Sequence, residues 1–187
     1  MKHKICHSGG AEGSDLYFEH IALKYGCDVI HYSYKTPQHN SMYKYELSEQ
    51  EFKEGLVMVE RVAEQLKRFK YKAHVKYLAR NYFQVKNSNQ VFAVSQVLID
   101  ETGALCRVKG GTGWAIQMGI NIGKEIFVFD QNVLKWFLWD YSKSKFTETI
   151  DPIIEHPSFA GIGTRKLNMF GMQAIDELFQ RSFKKGL

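Results

Sequence analysis

Ser8-Gly9-Gly10-Ala11-Glu12-Gly13-Ser14-Asp15 brings three glycines and two carboxylates into eight residues, just after a short apolar run that ends at Cys6. Glycine takes positive φ without a side-chain penalty, so the amides from Gly9 to Gly13 can turn inward together at the start of a helix. Such amides, with the positive end of the helix dipole, hold a phosphate without help from Lys or Arg. Ser8 borders the same turn. Asp15 suits a ribose hydroxyl; its structural alternative is a helix N-terminal cap. The grammar recurs twice, in Lys109-Gly110-Gly111-Thr112-Gly113 and in Phe159-Ala160-Gly161-Ile162-Gly163-Thr164-Arg165. Arg165 is either an anion partner, its guanidinium fork matched to phosphate oxygens, or a surface charge at the first turn of the last helix.

The elements that must position these turns follow from periodicity. Lys4–His7 is a short first strand, Ser14–Tyr25 an amphipathic helix stopped by Gly26, and Asp28–Ser33 a second strand. Residues 34–48 are polar without a clean period. They read as a lid or loop in which Tyr32, Tyr34 or His39 meets a ligand, or as a solvated connection. Ser48 and Glu51 form a capping box for a helix to about Phe69. A further helix over Tyr71–Val85 sets Arg80, Asn81 and Gln84 on adjoining surface positions, as ligand contacts or as an ordinary solvated face. Val91–Val94 is a buried strand, and Ile99–Val108 a hairpin turning at Glu101-Thr102-Gly103. Helix Trp114–Ile122 leads to Glu125–Phe129, whose unbroken apolar run suits a strand of a parallel sheet covered on both faces. Asp130 stands at its carboxyl end. Residues 134–141 and 145–150 pair as an antiparallel extension, their aromatics serving the core or a dimer contact. A strand at Phe159–Ile162 and a helix to about Phe183 complete the chain. The expected fold class is α/β: a single Rossmann-like domain, mainly parallel sheet flanked by helices, whose three glycine turns share the carboxyl edge where such sheets bind ligands.

Composition agrees. With 187 residues and 44% hydrophobic content the chain suits one well-packed domain. The net charge is +5, but the basic residues are dispersed among acids, which is compatible with a small anionic ligand and makes nucleic acid an unlikely partner. Three widely spaced cysteines in apolar surroundings argue against a disulfide framework and fit a reducing cytoplasm. The absence of a signal pattern or a long apolar segment argues against export and membrane insertion. His3, Cys6 and His7 alternate along a strand and so do not converge as metal ligands. No metal and no cofactor are expected.

Taken together, SGGAEGSD, KGGTGWAIQ and FAGIGTR resemble the glycine turns of the SLOG superfamily, the Rossmann-like group that includes the DNA-processing protein DprA and the LOG phosphoribohydrolases. LARNYFQV and GKEIFVFD resemble a subgroup common among phage-encoded and bacterial proteins. The resemblance spares only residues 34–70 and 130–157. In that superfamily the FAGIGTR-type unit usually comes first. Its place at the end here implies a circular permutation, with Phe159–Ile162 lying beside Lys4–His7 in the sheet. The resemblance also implies a glutamate after the second turn for N-glycosidic cleavage. This chain has Gln117 there, which cannot act as a base.

The expected function is therefore binding of a small nucleotide or nucleotide-derived ligand, ADP-ribose-like or a nucleoside phosphate, by a sensor or sequestering protein. Ser8, Gly9, Gly10, Gly13, Gly110, Gly111, Thr112, Gly113, Gly161 and Thr164 would surround it, with Arg80 and Arg165 on phosphates, Asn81 and Gln84 on base or ribose, and Asp15 on a ribose hydroxyl. The alternative is a nucleotide N-glycosidase using Asp15 or Glu12 as the catalytic carboxylate. Single-stranded DNA binding in the manner of DprA would need a basic stripe. Apolar surface on the long helix and around Trp136–Trp139 points to a homo-oligomer.

Overall fold

A computed structural model describes residues 3–183. In chain order the elements are β1 (Ile5–Ser8), α1 (Ser14–Lys24), β2 (Asp28–Ser33), β3 (Lys44–Glu46), α2 (Glu49–Leu66), a single 3-10 turn (Lys72–His74), α3 (Val75–Lys86), β4 (Gln90–Val94), β5 (Val97–Ile99), β6 (Leu105–Val108), α4 (Gly110–Asn121), β7 (Glu125–Asp130), β8 (Lys135–Asp140), β9 (Lys145–Thr149), β10 (Ser158–Gly163) and α5 (Met169–Phe183). Eight strands form one sheet in the order β3-β2-β1-β10-β4-β7-β8-β9; β5 and β6 make a separate antiparallel pair. The run from β3 to β7 is parallel, and β8 and β9 extend it antiparallel. The chain is thus α/β with a mostly parallel sheet. Cys6 pairs with both Val29 and Phe159, so the last strand does lie beside the first.

Strand side chains alternate between two cores. Cys6, Phe92, Phe127 and Phe159 meet Phe18 and Ile21 of α1 and Ile175, Leu178 and Phe179 of α5. On the other face Val91, Ala93, Ile126 and Val128 meet Val59 and Val62 of α2, Phe83 of α3 and Met118 of α4. Each Val, Ile, Leu, Phe or Met among them, fully buried, contributes roughly 1.5–3 kcal/mol. Among the described residues no helix is long and apolar enough to cross a membrane.

Three local features aim the fold at its carboxyl edge. The expected capping box starts α2: the Glu51 amide donates to Ser48 Oγ at 3.2 Å and the Ser48 amide to Glu51 Oε2 at 2.8 Å. Lys67 ends that helix in the left-handed region, φ 53°, and turns the following Arg68-Phe69-Lys70 across the edge of the sheet. Gly55 lets α2 cross α3 at close range, since a Cβ there would stand 2.6 Å from the Ala79 carbonyl oxygen. Ala79 is the neighbour of Arg80, so this crossing sets the height of Arg80 above the sheet.

Several elements differ from the sequence reading. Residues 34–48 are not loop throughout: Lys44–Glu46 pairs in parallel with His31–Ser33 as β3. An edge strand of three residues needs no apolar alternation, so none is visible. The second glycine segment is largely helix, α4 starting at Gly110 with the Gly113 amide donating to the Lys109 carbonyl. The third glycine turn is followed by a loop, because α5 begins only at Met169, where Asn168 Oδ1 accepts the Gly171 amide at 3.0 Å as an N-cap does. Arg165 therefore stands in a loop and not in the first turn of a helix. The aromatic extension serves the core: Trp136 is buried in one layer and Phe137 in the other.

Candidate functional site

From β1 the chain passes to β2 on one side, whereas from β4 it passes to β7 on the other, with β10 between them. Such a reversal opens a crevice at the carboxyl ends of the strands. A cleft of about 1160 Å³ lies there.

The first glycine turn closes on the protein's own carboxylate. Asp15, in the first turn of α1 and buried, accepts the Gly9 amide on Oδ2 at 3.2 Å and the Gly163 amide on Oδ1 at 3.1 Å. Ser8 Oγ accepts the Gly10 amide at 3.5 Å, and the Ser14 amide and hydroxyl both donate to the Thr164 carbonyl, at 3.0 and 2.9 Å. Amides that the sequence offers to a phosphate are thus engaged within the protein. The Asp15 carboxylate occupies the position of the anion and pins the first turn to the last. Burial pushes its pKa up to about 6, against the opposing pull of Arg80 and of the amides of Gly163, Gly9 and Ala11.

Arg80 lies beneath this loop, 8% exposed. Its Nη1 donates to the Gly9 carbonyl and, at 3.0 Å, to the Tyr32 carbonyl, while the guanidinium stands 5.5 Å from the Tyr77 ring centroid. Burial opposes its charge, and Asp15 is the first of the groups that offset it. Its Nε has no hydrogen-bond partner among the described residues. Gln84, 2% exposed, packs beside Gly9, and its Nε2 donates to Asn81 Oδ1 at 3.4 Å.

The fold gathers dispersed cations around the cleft. Lys67, Arg68 and Lys70 come from the segment after α2, Lys109 from the start of α4, Arg165 and Lys166 from the loop after β10, and Arg80 from α3. Asp15 is the only carboxylate among the lining residues. Arg68 Nη1 donates to the Gly110 carbonyl at 3.1 Å, and Lys109 Nζ to Gln96 Oε1 at 3.1 Å, so both are held at the entrance of α4. Tyr71, tilted against Trp114 at 5.4 Å, and Tyr77 add aromatic walls.

Of the residues the sequence singles out, Asp15, Arg80, Asn81, Gln84, Gly110, Gly111, Thr112, Thr164 and Arg165 line this cleft. Gly9, Gly10 and the exposed Glu12 line a smaller cavity of about 270 Å³ next to it, together with Ser33, Tyr34 and His39. Ser8, Gly13, Gly113 and Gly161 line neither. The glycines among them are close-packing positions: a Cβ on Gly13 would stand 2.5 Å from the Thr164 carbonyl oxygen, and one on Gly161 2.5 Å from the Phe18 ring. Gln117 donates to Asn121 along its own helix at 3.1 Å and does not reach the cleft. Asp130 is buried, its oxygens accepting the Val97 and Asn132 amides at 2.8 and 2.9 Å. His3 pairs with Asp28 at 3.3 Å while His7 Nδ1 lies 3.1 Å from the Tyr32 hydroxyl, and among the described residues no three His, Cys, Asp or Glu side chains converge.

Sequence reasoning missed the segment Lys67-Arg68-Phe69-Lys70-Tyr71-Lys72. Its basic and aromatic residues interleave at a helix end, a pattern that could have marked it as a binding wall. No family model, curated protein or solved structure matches this chain.

Proposed function

We propose that the chain binds a small nucleotide or nucleotide-derived anion in the large cleft and keeps it intact, as a sensor or sequestering protein does. One observation carries this reading: seven Lys and Arg side chains surround a cavity whose single carboxylate is already held by two backbone amides. Positive charge focused in a crevice attracts phosphates. The amides of Gly110, Gly111 and Thr112 have no i−4 partner within α4 and supply further donors at its N-terminus. Asn81 and Gln84 offer amide groups to a base, and Tyr71 and Tyr77 offer rings for it to rest on. Native mass spectrometry with a panel of nucleoside mono- and diphosphates tests it. A retained, unaltered nucleotide is the expected result; retention of none of the panel would refute the reading.

A second reading, a nucleotide N-glycosidase, is favoured by the Asp15 carboxyl, which sits in the cleft and is pushed up to about 6, where it can give a proton near neutral pH. Free base in the same spectra, lost in Asp15→Asn, would select it. Membership of the SLOG superfamily belongs to this proposal too. The adjacency of β10 and β1 supports a permuted order, and the presence of all three glycine segments at one sheet edge supports a shared site. Homo-oligomerisation is part of the reading as well: Val133, Leu134, Met169 and Phe170 are exposed on two segments that Gln131 ties together through Lys166 and Asn168. Light scattering giving a dimer mass would support it, and a monomer mass at high concentration would exclude it.

A further inference from the structure

We propose that the two cavities are halves of one site and that the ligand is two-armed: a nucleoside phosphate in the large cleft, joined through its phosphates at Arg80 and Arg165 to a second sugar held in the small cavity. This rests on the nucleotide reading above and narrows it to nucleoside diphosphates that carry a sugar on the terminal phosphate.

The first ground is the shared wall. Ala11, Tyr77, Arg80 and Arg165 line both cavities. Two guanidinium groups at the junction match a phosphoanhydride, whose paired phosphates offer oxygens on both sides. Arg80 cannot swing away, being anchored through Nη1 to the Gly9 and Tyr32 carbonyls. Its Nε, on a side chain more than nine-tenths buried, has no protein partner among the described residues. A guanidinium carries five N–H donors, so a group held in this way still has hydrogens to give.

The second ground is the contrast in chemistry between the halves. The large cleft is cationic, whereas the small cavity is lined by Ser33, Tyr34, Thr36, Gln38 and His39, with Glu12 as its carboxylate-bearing residue. A carboxylate repels phosphate and accepts from vicinal sugar hydroxyls, so this half suits a neutral polyol. His39 Nε2 is buried without a partner among the described residues, and its ring stacks on His31 at 5.9 Å, which holds it in place on the lid. Tyr34 meets Tyr77 edge-on at 5.4 Å and closes the other side. Size agrees. Sites for complete small ligands run from about 300 to 1,000 Å³; the small cavity, at about 270 Å³, takes a fragment, and the large one has room for a nucleoside with its phosphates.

The test is calorimetric titration of the full chain with matched pairs: ADP and ADP-ribose, UDP and UDP-glucose, GDP and GDP-mannose. In at least one pair the sugar conjugate should bind about tenfold tighter than its parent diphosphate. Glu12→Gln, on an exposed side chain, and His39→Ala should each bring that ratio close to one. If diphosphates bind and no conjugate is favoured, the two-armed ligand is wrong while the nucleotide site stands. A favoured conjugate whose ratio survives both substitutions also overturns the assignment, because the sugar then lies elsewhere. If neither member of any pair binds, the nucleotide reading fails and this inference with it.

Discussion

Asp15 and Gly163 stand 148 residues apart in the chain, yet the carboxylate of one accepts the amide of the other at 3.1 Å. The second oxygen of the same carboxylate takes the Gly9 amide, so one side chain fastens the turn after the first strand to the turn after the last. A glycine turn that looks built for a foreign anion is satisfied by an internal one, and the cations around it are left to meet the anion proposed above.

Replacing that carboxylate tests the fastening. Asp15→Asn keeps the shape but points an N–H₂ group at one of two amide donors and leaves buried Arg80 without its main counter-charge. An unsatisfied buried donor costs about 1–3 kcal/mol. Urea unfolding at neutral pH should show a loss in that range; stability equal to that of the unsubstituted protein would show that the two turns are held by other means.

Acid should destabilise the fold. Burial holds His7 and His31 at about 4, below the ordinary 6.5, so between those values the unfolded chain binds protons that the folded chain refuses, and stability is lost as pH falls. Asp15 acts in the opposite sense: its folded pKa of about 6 lies above the ordinary 3.8, so the folded state gains in the same window. His39 is lowered by burial as well, while Glu19 is raised by it; three histidines outweigh the two carboxyls, and the denaturation midpoint should drop between pH 6.5 and 4.5. His31→Gln should flatten that fall, and an unchanged slope would remove His31 from the account.

Arg165 separates binding from folding. It is exposed and lines both cavities, so Arg165→Ala should change stability by no more than about 0.5 kcal/mol. Affinity for a nucleoside diphosphate should nevertheless fall about tenfold, the loss of one charge-assisted contact, while affinity for the nucleoside is untouched. Equal losses for both in calorimetry would deny the arginine a phosphate.

Gly55 links packing to the site. A methyl group there would press on the Ala79 carbonyl, so Gly55→Ala should force α2 and α3 apart. The cost of such overpacking is about 1–3 kcal/mol. Because Arg80 follows Ala79, nucleotide affinity should fall together with the urea midpoint; destabilisation with affinity intact would mean that Arg80 is placed by its carbonyl anchors alone.

The elements that repeat or alternate were legible in the residues themselves. Glu125–Phe129 reads as a buried strand because the four successive apolar residues Ile126–Phe129 need cover on both faces, and Ser48 with Glu51 reads as a helix start because the two groups satisfy each other locally. The neighbour relation of the last and first strands was anticipated only through the resemblance, whose usual unit order implied a circular permutation. Local sequence held no sign of where the orphan amides would find partners. Asp15 caps nothing in its own helix and reaches Gly163 only because β1 and β10 are adjacent.

The charge distribution marks the same boundary. Along the chain Lys67, Arg80, Lys109 and Arg165 are separated by stretches of ordinary composition, and nothing in their spacing joins them. They meet because the loop after β10 carries Arg165 to the carboxyl edge, the left-handed cap at Lys67 turns its segment over that edge, and α3 and the start of α4 bring Arg80 and Lys109 to the same cleft. Periodicity and capping act within a few residues, so the sequence by itself determined most of the strands and helices, but not the three-residue edge strand β3 or the starts of α4 and α5. The cationic cleft joins two local clusters, Lys67-Arg68 with Lys70 and Arg165-Lys166, to Arg80 and Lys109, and only the packing of the fold could bring these distant groups together.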